Sequence, residues 1–382
     1  MLELPPLALY VHLPWCVRKC PYCDFNSHQA KHAIPEAAYL AALCRDLDRE
    51  LPWVQDRKLG SVFFGGGTPS LFSAATIGAL LDHAAARIGF AADAEITLEA
   101  NPGTAEAGRF RDYRRAGVNR LSIGIQSFAD AALITLGRIH SGRQAVAAVE
   151  LARQAGFERI NIDLMHGLPG QTEADALADL RQGIALATGH LSWYQLTIEP
   201  NTVFYRKPPD LPAEAVLDVI AETGSEVLAE AGYRRYEISA YARPGEDSRH
   251  NRNYWEFGDY LGIGAGAHGK LTDPATGRIV RRRKARQPQH YLAAADPGVA
   301  CDDIADGERP VEFLMNALRL TDGVPVRYFP ARTGLPTQVL DGLWTALVER
   351  GLLEPLDQRL AATALGHRFL DTILEHWVAG TA

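Results

Sequence analysis

The chain has 382 residues, 47% of them hydrophobic and 22% charged, with 39 basic against 46 acidic side chains and a formal charge of −7. That length predicts about two domains and that composition an ordinary folded core. The acidic balance weighs against general binding to nucleic acid or anionic membrane. The first residues, MLELPPLALYVHLP, have no basic n-region and only a short apolar run, so they do not read as a signal peptide. No window is long and apolar enough to span a bilayer, and the expected location is cytoplasmic. Five cysteines in a reducing compartment do not predict disulfides.

In chain order, short β-rich runs at 7–12, 61–64, 95–98, 120–125, 159–164, 191–198 and 235–239 alternate with Ala/Leu-rich helical stretches at 35–51, 73–88, 142–155, 172–187 and 213–231. This is the rhythm of a parallel α/β sheet. The strand-like runs lead into HLPWC, FFGGGTP, TLEANPG, SIGIQSF, DLMHGLPG and LTIEPN. Polar and glycine-rich tips on six successive strands predict one pocket at the C-terminal mouth of a barrel. A doubly wound sheet would concentrate them at one switch point. The expected class is α/β, a partial TIM-like (β/α) barrel over residues 1–241.

After Tyr241 the rhythm stops. Residues 242–305, rich in Gly, Arg and aromatic side chains, read as a connecting segment, and 306–382 as a smaller, mostly helical domain. In that domain VEFLMNALRL and PTQVLDGLWTALVERG predict helices, LLEPLDQRLAAT a strand–turn–strand and ALGHRFLDTILEHWV a further helix, a winged-helix pattern. From residue 336 to 382 there are six acidic and only three basic side chains. DNA contact would lack its main energy term, so no nucleic-acid partner is expected.

Cys16, Cys20 and Cys23 stand within eight positions, directly after the first strand. Cys44 fits a helical pattern as a small apolar residue, and Cys301 lies in an acidic connector with no obvious role. Three thiolates so close together can wrap one small inorganic group. Structural zinc wants four ligands, and His12 or His28 could supply the fourth. An iron–sulfur cubane on three cysteines leaves one iron open to a ligand. Spacing alone leaves both alternatives standing.

The pattern Cys16-x3-Cys20-x2-Cys23 with Tyr22 before the third cysteine, and the run Gly65-Gly66-Gly67-Thr68-Pro69, resemble radical S-adenosylmethionine (SAM) proteins. The resemblance implies a [4Fe–4S] cluster on Cys16, Cys20 and Cys23 with SAM on its open iron. Glycines would let backbone approach the methionine moiety, and Tyr22 could stack on adenine. Tyr10-Val-His12-x-Pro14-x-Cys16, Glu99-Ala-Asn101-Pro102, Gly124-Ile-Gln126-Ser127, Arg138 and Asp163-Leu-Met-His-Gly167-Leu-Pro169-Gly170 are similar to oxygen-independent coproporphyrinogen III oxidase and its relatives. EFLMNALRL and ALGHRFLD extend the similarity to nearly the whole chain. It implies SAM contacts from Tyr10, Tyr22, Gly66, Gly67, Thr68, Glu99, Gln126, Arg138 and Asp163.

The oxidase branch resembles Cys-x3-Cys-x2-Cys-x-Cys, and here the fourth position is Phe25. The oxidases also carry an extension before their first strand, which in this chain begins near Leu7. Both departures favour the HemW-type heme chaperones, which share the fold. His250-Asn251-Arg252-Asn253-Tyr254-Trp255 is similar to the H-N-x-x-Y-W motif associated with heme binding in that group. It offers an imidazole for iron, flat faces at Tyr254 and Trp255, and Arg249 or Arg252 for propionates. On residue types alone, Asn251 and Asn253 could equally cap turns while Trp255 fills a core. The resemblance implies heme as cargo with His250 in its site. It also implies respiratory heme-protein acceptors, membrane-associated ones included, and leaves a homodimer open. Decarboxylation of coproporphyrinogen III in porphyrin metabolism is the alternative.

Two further stretches carry weaker signals. Gly262-Ile-Gly264-Ala-Gly266-Ala-His268 lacks the context of a dinucleotide fingerprint and reads as backbone close-packing, with His268 a hydrogen-bonded structural histidine and a second heme ligand as its alternative. The basic run from Arg278 to Arg286 reads as a solvated strand or loop face. Its sharper alternative is a docking site for propionates or an acidic acceptor through Arg282 and Arg283.

Overall fold

The structure is a computed structural model that describes residues 1–103, 109–294 and 300–380, with side chains up to 378. Residues 295–299 of the expected connecting segment, and 381–382 at the chain end, lie outside the described residues. The expected strands form as β1 (Leu7–Leu13), β2 (Leu59–Gly66), β3 (Phe90–Ala100), β4 (Arg120–Gln126), β5 (Arg159–His166), β6 (His190–Gln195) and β7 (Arg234–Glu237). From β1 to β6 each strand is parallel to the next. Six of the seven positions of β1, LALYVHL, are buried. A near-continuous apolar run is what a central parallel strand covered on both faces requires. β6 stops at Gln195, three residues short of the expected end, and Leu196, Thr197 and Glu199 beyond it line the barrel mouth.

The crossover helices are α1 (Glu36–Glu50), α2 (Ala74–Arg87), α3 (Gly142–Gln154), α4 (Glu173–Ala185) and α5 (Glu214–Glu230). Local chemistry fixes where several of them start. Ser73 caps α2 by accepting from the Thr76 N–H, and capping boxes open α3 (Ser141 with Gln144) and α4 (Thr172 with Asp175). Their buried faces, such as Leu80, Val149 and Leu180, pack with Val11, Val62 and Ile123 of the strands into one core.

The rhythm stops after Tyr241, but the sheet continues. β8 (Ala240–Ala242), β9 (Asp259–Ile263), β10 (His268–Asp273), β11 (Arg278–Arg283) and β12 (Ala300–Asp303) all join it. Among the described residues the order of this twelve-stranded sheet is β12-β11-β10-β9-β1-β2-β3-β4-β5-β6-β8-β7. β9 runs parallel to β1 on the side away from β2, with Tyr10 opposite Gly262 and Val11 opposite Ile263. β10, β11 and β12 then continue as an antiparallel meander. Helix α6 (Arg249–Trp255) leads into β9 and packs against β1, β2 and β9.

The C-terminal region brings α7 (Arg309–Ala317), α8 (Asp341–Glu349) and α9 (Leu370–Gly380) around a second core that includes Phe313, Leu347, Trp344 and Trp377. Phe257, in the turn between α6 and β9, and Ile279 of β11 belong to the same core. The expected strand–turn–strand is reduced to a single bridge between Leu353 and Ala362, while Arg359–Leu360 pairs with Val324–Pro325 instead. Pro355 lies between the two arms and cannot donate to a ladder. No helix among the described residues is long and apolar enough to cross a membrane.

Candidate functional site

The C-terminal ends of β1 to β6 surround a cavity of about 850 Å³. Cys16, Cys20, Tyr22, Cys23, Gly66, Gly67, Thr68, Glu99, Gln126, Arg138 and Asp163 all line it. Two of the expected site residues, Tyr10 and His250, do not. The cysteine loop is closed by a short parallel pairing of Trp15–Cys16 with His28–Gln29 and tied to the glycine run by the Thr68 N–H to the Trp15 carbonyl at 2.8 Å. Gly66 has φ +114°, and a Cβ there would fall 2.6 Å from the His12 ring. Only glycine fits both restrictions.

Each thiol of the loop has a polar neighbour. Thr68 Oγ1 donates to Cys16 Sγ at 3.5 Å, Arg138 Nη1 donates to Cys20 Sγ at 3.7 Å, and Cys23 Sγ lies 3.6 Å from Ser27 Oγ. Burial pushes the Cys16 and Cys23 thiols up, and the Thr68 and Ser27 hydroxyls oppose that push. These groups would stabilise thiolates, the form that binds metal. His12, one of the two fourth zinc ligands that spacing allows beside His28, is already engaged. Its Nδ1 pairs with the Tyr10 hydroxyl and its Nε2 with the Asn26 carbonyl, both at 2.9 Å. Among the described residues no three His, Cys, Asp or Glu side chains close around a single ion.

Across the cavity, Arg138 is fixed by donating to the Gly124 carbonyl at 2.6 Å and to Asn101, and Asn101 Nδ2 donates to Thr68 Oγ1 at 2.9 Å. One polar chain therefore joins Arg138, Asn101, Thr68 and Cys16. Gln126 has φ +71°, at a register break in the β4–β5 ladder. Its side-chain oxygen accepts from the Tyr194 hydroxyl at 2.7 Å. A non-glycine residue held in this conformation stores local strain. Asp163 accepts from Asn161 Nδ2 at 2.7 Å and Ser122 Oγ at 3.3 Å. Glu99 is pushed up to about 8 by burial and by the neighbouring Asp163, against one donation from the Gly66 N–H. Burial also raises Asp163. Two buried carboxyls in one wall disfavour double ionisation.

Sequence reasoning missed Asn101, Ser122, Ser192 and Tyr194 as parts of this wall. A signal existed: Ser122 and Gly124, Asn161 and Asp163, and Ser192 and Tyr194 each stand two apart on a strand, and side chains two apart share a face.

The HNRNYW segment is α6, and its residues have separate tasks. His250 is 5% exposed, with its ring 4.1 Å from Phe63 at an interplanar angle of 15°. Burial lowers it to about 3, and its Nδ1 has no partner among the described residues. Asn251 donates to the Tyr236 hydroxyl at 3.1 Å and Asn253 to the Asp259 carbonyl at 2.9 Å. Arg249 pairs with Asp93 and Arg252 with Asp247, and neither side chain lines this cavity or the next. Trp255 lies under the Arg319 guanidinium at 4.2 Å, and both line the first cavity.

Tyr254 faces a second cavity of about 750 Å³, walled also by Tyr10, Phe63 and Tyr260. The two cavities share Phe25, Gly66 and Glu99. Phe25 is 61% exposed at this boundary. His268, Arg283 and Arg286 line the second cavity on its β10–β11 side. Here two expectations need correction. His268 is exposed, and its side chain hydrogen-bonds to nothing among the described residues. The basic run is mostly consumed by ion pairs rather than solvated: Arg282 with Glu50, Arg281 with Glu312, and buried Lys284 with Asp46 and Glu50. The Gly262–Gly266 stretch does pack backbone closely. Gly264, at φ +101°, would place a Cβ 2.3 Å from the His12 carbonyl.

Comparison with known proteins follows the same outline. The radical SAM superfamily profile matches residues 10–182 and that of the HemN C-terminal domain residues 305–369. Coproporphyrinogen III oxidase (HemN) from Escherichia coli, a radical SAM enzyme, superposes with a TM-score of 0.81 over 98% of this chain and 90% of its own. At 23% identity that likeness establishes the fold alone. The heme chaperone HemW of Escherichia coli K12 is 50% identical over 379 residues, 99% of this chain and 100% of that protein. The heme chaperone HemW of Haemophilus influenzae is 49% identical over 98% of both chains. The mitochondrial radical S-adenosyl methionine domain-containing protein 1 of Mus musculus is 40% identical over 75% of this chain and 66% of its own. Identity of this degree along the full length, on a radical SAM fold with the cysteines and glycine run at one barrel mouth, shows that the chain belongs to the HemW family of heme chaperones.

Proposed function

We propose that this protein holds a [4Fe–4S] cluster on Cys16, Cys20 and Cys23, binds SAM beside it, and carries heme in the cytoplasm to respiratory heme-protein acceptors. The observation that carries the reading is the shared wall. A cysteine-lined cavity and an aromatic cavity meet at Phe25, Gly66 and Glu99, in a chain half identical to a heme chaperone.

The residues fit the groups this reading requires. Three thiols with hydroxyl or guanidinium neighbours suit a cluster with one open iron, and position 25 adds a phenyl ring rather than a fourth thiol. When bound, the cluster would supply an electron to the sulfonium of SAM. Gly66 and Gly67 let backbone polar groups approach a ligand closely, and Tyr22 offers it a ring. Gln126, Arg138, Glu99 and Asp163 stand around the same space, with Glu99 able to donate a hydrogen bond while protonated. Tyr10 turns its ring to the second cavity. His250 backs that cavity through its stacking on Phe63 and its edge contact with Tyr254, ring centroids 4.4 Å apart. On this reading His250 belongs to the heme site as the support of its wall.

The test is an anaerobic hemin titration of cluster-reconstituted protein, followed in the Soret region. Saturable binding near one heme per chain, with SAM unconsumed, is the expected result. No saturable binding, together with SAM consumption when coproporphyrinogen III is supplied, would replace the chaperone with the oxidase.

A further inference from the structure

We infer that the second cavity seats an iron tetrapyrrole bearing carboxylates, with His268 as an iron ligand and Arg283 and Arg286 binding the carboxylates. The inference rests on the chaperone reading and deepens it, since the motif histidine His250 is not the residue assigned to iron.

The wall is flat and aromatic. Tyr10 and Phe63 lie 6.3 Å apart at 19°, and Phe63 stacks on His250 behind it. Tyr254 meets Tyr260 edge to face at 4.4 Å. Such a surface can take a macrocycle face by stacking. At about 750 Å³ the cavity has room for a large flat ligand. It is set apart from the cysteine cavity by the exposed ring of Phe25.

The two histidines differ in availability. His250 is 5% exposed and lies against Phe63, which itself lines the cavity. Reaching an iron there would require Phe63 to move. His268 lies on the lining itself, exposed and with its side chain unbonded among the described residues.

The charges around the cavity suit an acidic ligand. Arg283 pairs with Asp302 at 2.6 Å, but the two side chains are 52% and 59% exposed. A pair so open to water is worth little and can exchange for a ligand carboxylate. Lys284 and Arg281, bound to internal carboxylates, are not part of this supply. Glu99 in the shared wall, pushed up to about 8, adds little repulsion near neutral pH.

The test is a hemin titration of wild type, His268→Ala, His250→Ala and the double variant Arg283→Ala/Arg286→Ala, each also titrated with metal-free protoporphyrin and with hemin dimethyl ester. His268→Ala is expected to weaken hemin binding at least roughly tenfold and shift the Soret band, with added imidazole restoring the wild-type spectrum. Its affinity for metal-free protoporphyrin should be unchanged, which shows that the cavity is intact. The arginine double variant should lose roughly tenfold for hemin and nothing for the dimethyl ester. His250→Ala should keep the wild-type spectrum at reduced affinity. The inference is overturned, with the chaperone reading intact, if wild type binds hemin and His268→Ala binds it with the same Kd and spectrum. It is equally overturned if His268→Ala loses metal-free protoporphyrin to the same degree. Wild type that fails to bind hemin at all would remove the chaperone reading, and this assignment with it.

Discussion

The two cavities that meet at Phe25, Gly66 and Glu99 are built in different ways. The cysteine cavity takes its lining mainly from the C-terminal ends of consecutive parallel strands, where each βα turn must leave the sheet and can present polar side chains. The aromatic cavity takes Tyr10 from β1, Phe63 from β2, Tyr254 from α6 and His268 from β10, elements far apart in sequence that the β1–β9 pairing brings together. The first is a property of a repeating unit. The second depends on one long-range pairing, and so on everything that fixes it.

Four experiments would break or sharpen that contrast. Cys20→Ala should reduce iron and sulfide after anaerobic reconstitution to background. Hemin affinity should then stay within roughly twofold of wild type, because Cys20 lines the cysteine cavity and not the aromatic one, and residues without shared partners act independently. Hemin binding lost together with iron would mean that the two cavities act as one site. Gly66→Val should damage both cavities, since its side chain would meet the His12 ring from a backbone at φ +114°. We expect it to cost at least about 3 kcal/mol in urea unfolding, and near-wild-type stability would show that the shared wall yields.

Glu99→Gln probes the same wall through pH. The Glu99 carboxyl titrates at about 8 in the folded protein against 4.5 ordinarily. Between those values the folded state binds more protons than the unfolded one, so wild-type stability falls as pH rises through that window. The glutamine variant lacks this slope. Measured without ligands, it should gain on wild type by on the order of 2–4 kcal/mol from the bottom of the window to the top. Parallel stability curves for the two proteins would show that Glu99 is ionised in its wall. The smallest effect belongs to Asn253→Ala, which removes the side-chain bond to the Asp259 carbonyl at 2.9 Å that ties α6 to β9. A loss of about 1 kcal/mol with a weakened hemin response is expected. An unchanged protein would mean that α6 is held by its packing alone.

The barrel was legible because strand and helix periods, capping residues and strand-end chemistry are local. The stretch from residue 259 to 303 was not. β9 is short and runs into glycines, and β11, RIVRRR, carries more charge than a strand pattern leads one to expect. Its arginines are tolerated because Glu50, Asp302 and Glu312 come from other parts of the chain to meet them. The HNRNYW segment was legible as a motif but not as a division of labour. Only its place across β1, β2 and β9 assigns Trp255 to one cavity and Tyr254 to the other.

By itself the sequence determined the cysteine loop, the glycine run that must pass close to it, and the set of polar strand ends that share one barrel mouth. These follow from spacing of a few residues and from which side chains a turn or a metal-binding loop can accept. Tertiary structure decided which histidine is buried and which is open, which arginines are spent on internal carboxylates, and that a second cavity exists beside the first. Burial and ion pairing depend on partners distant in sequence, and for these residues the partners meet only when β9 docks on β1.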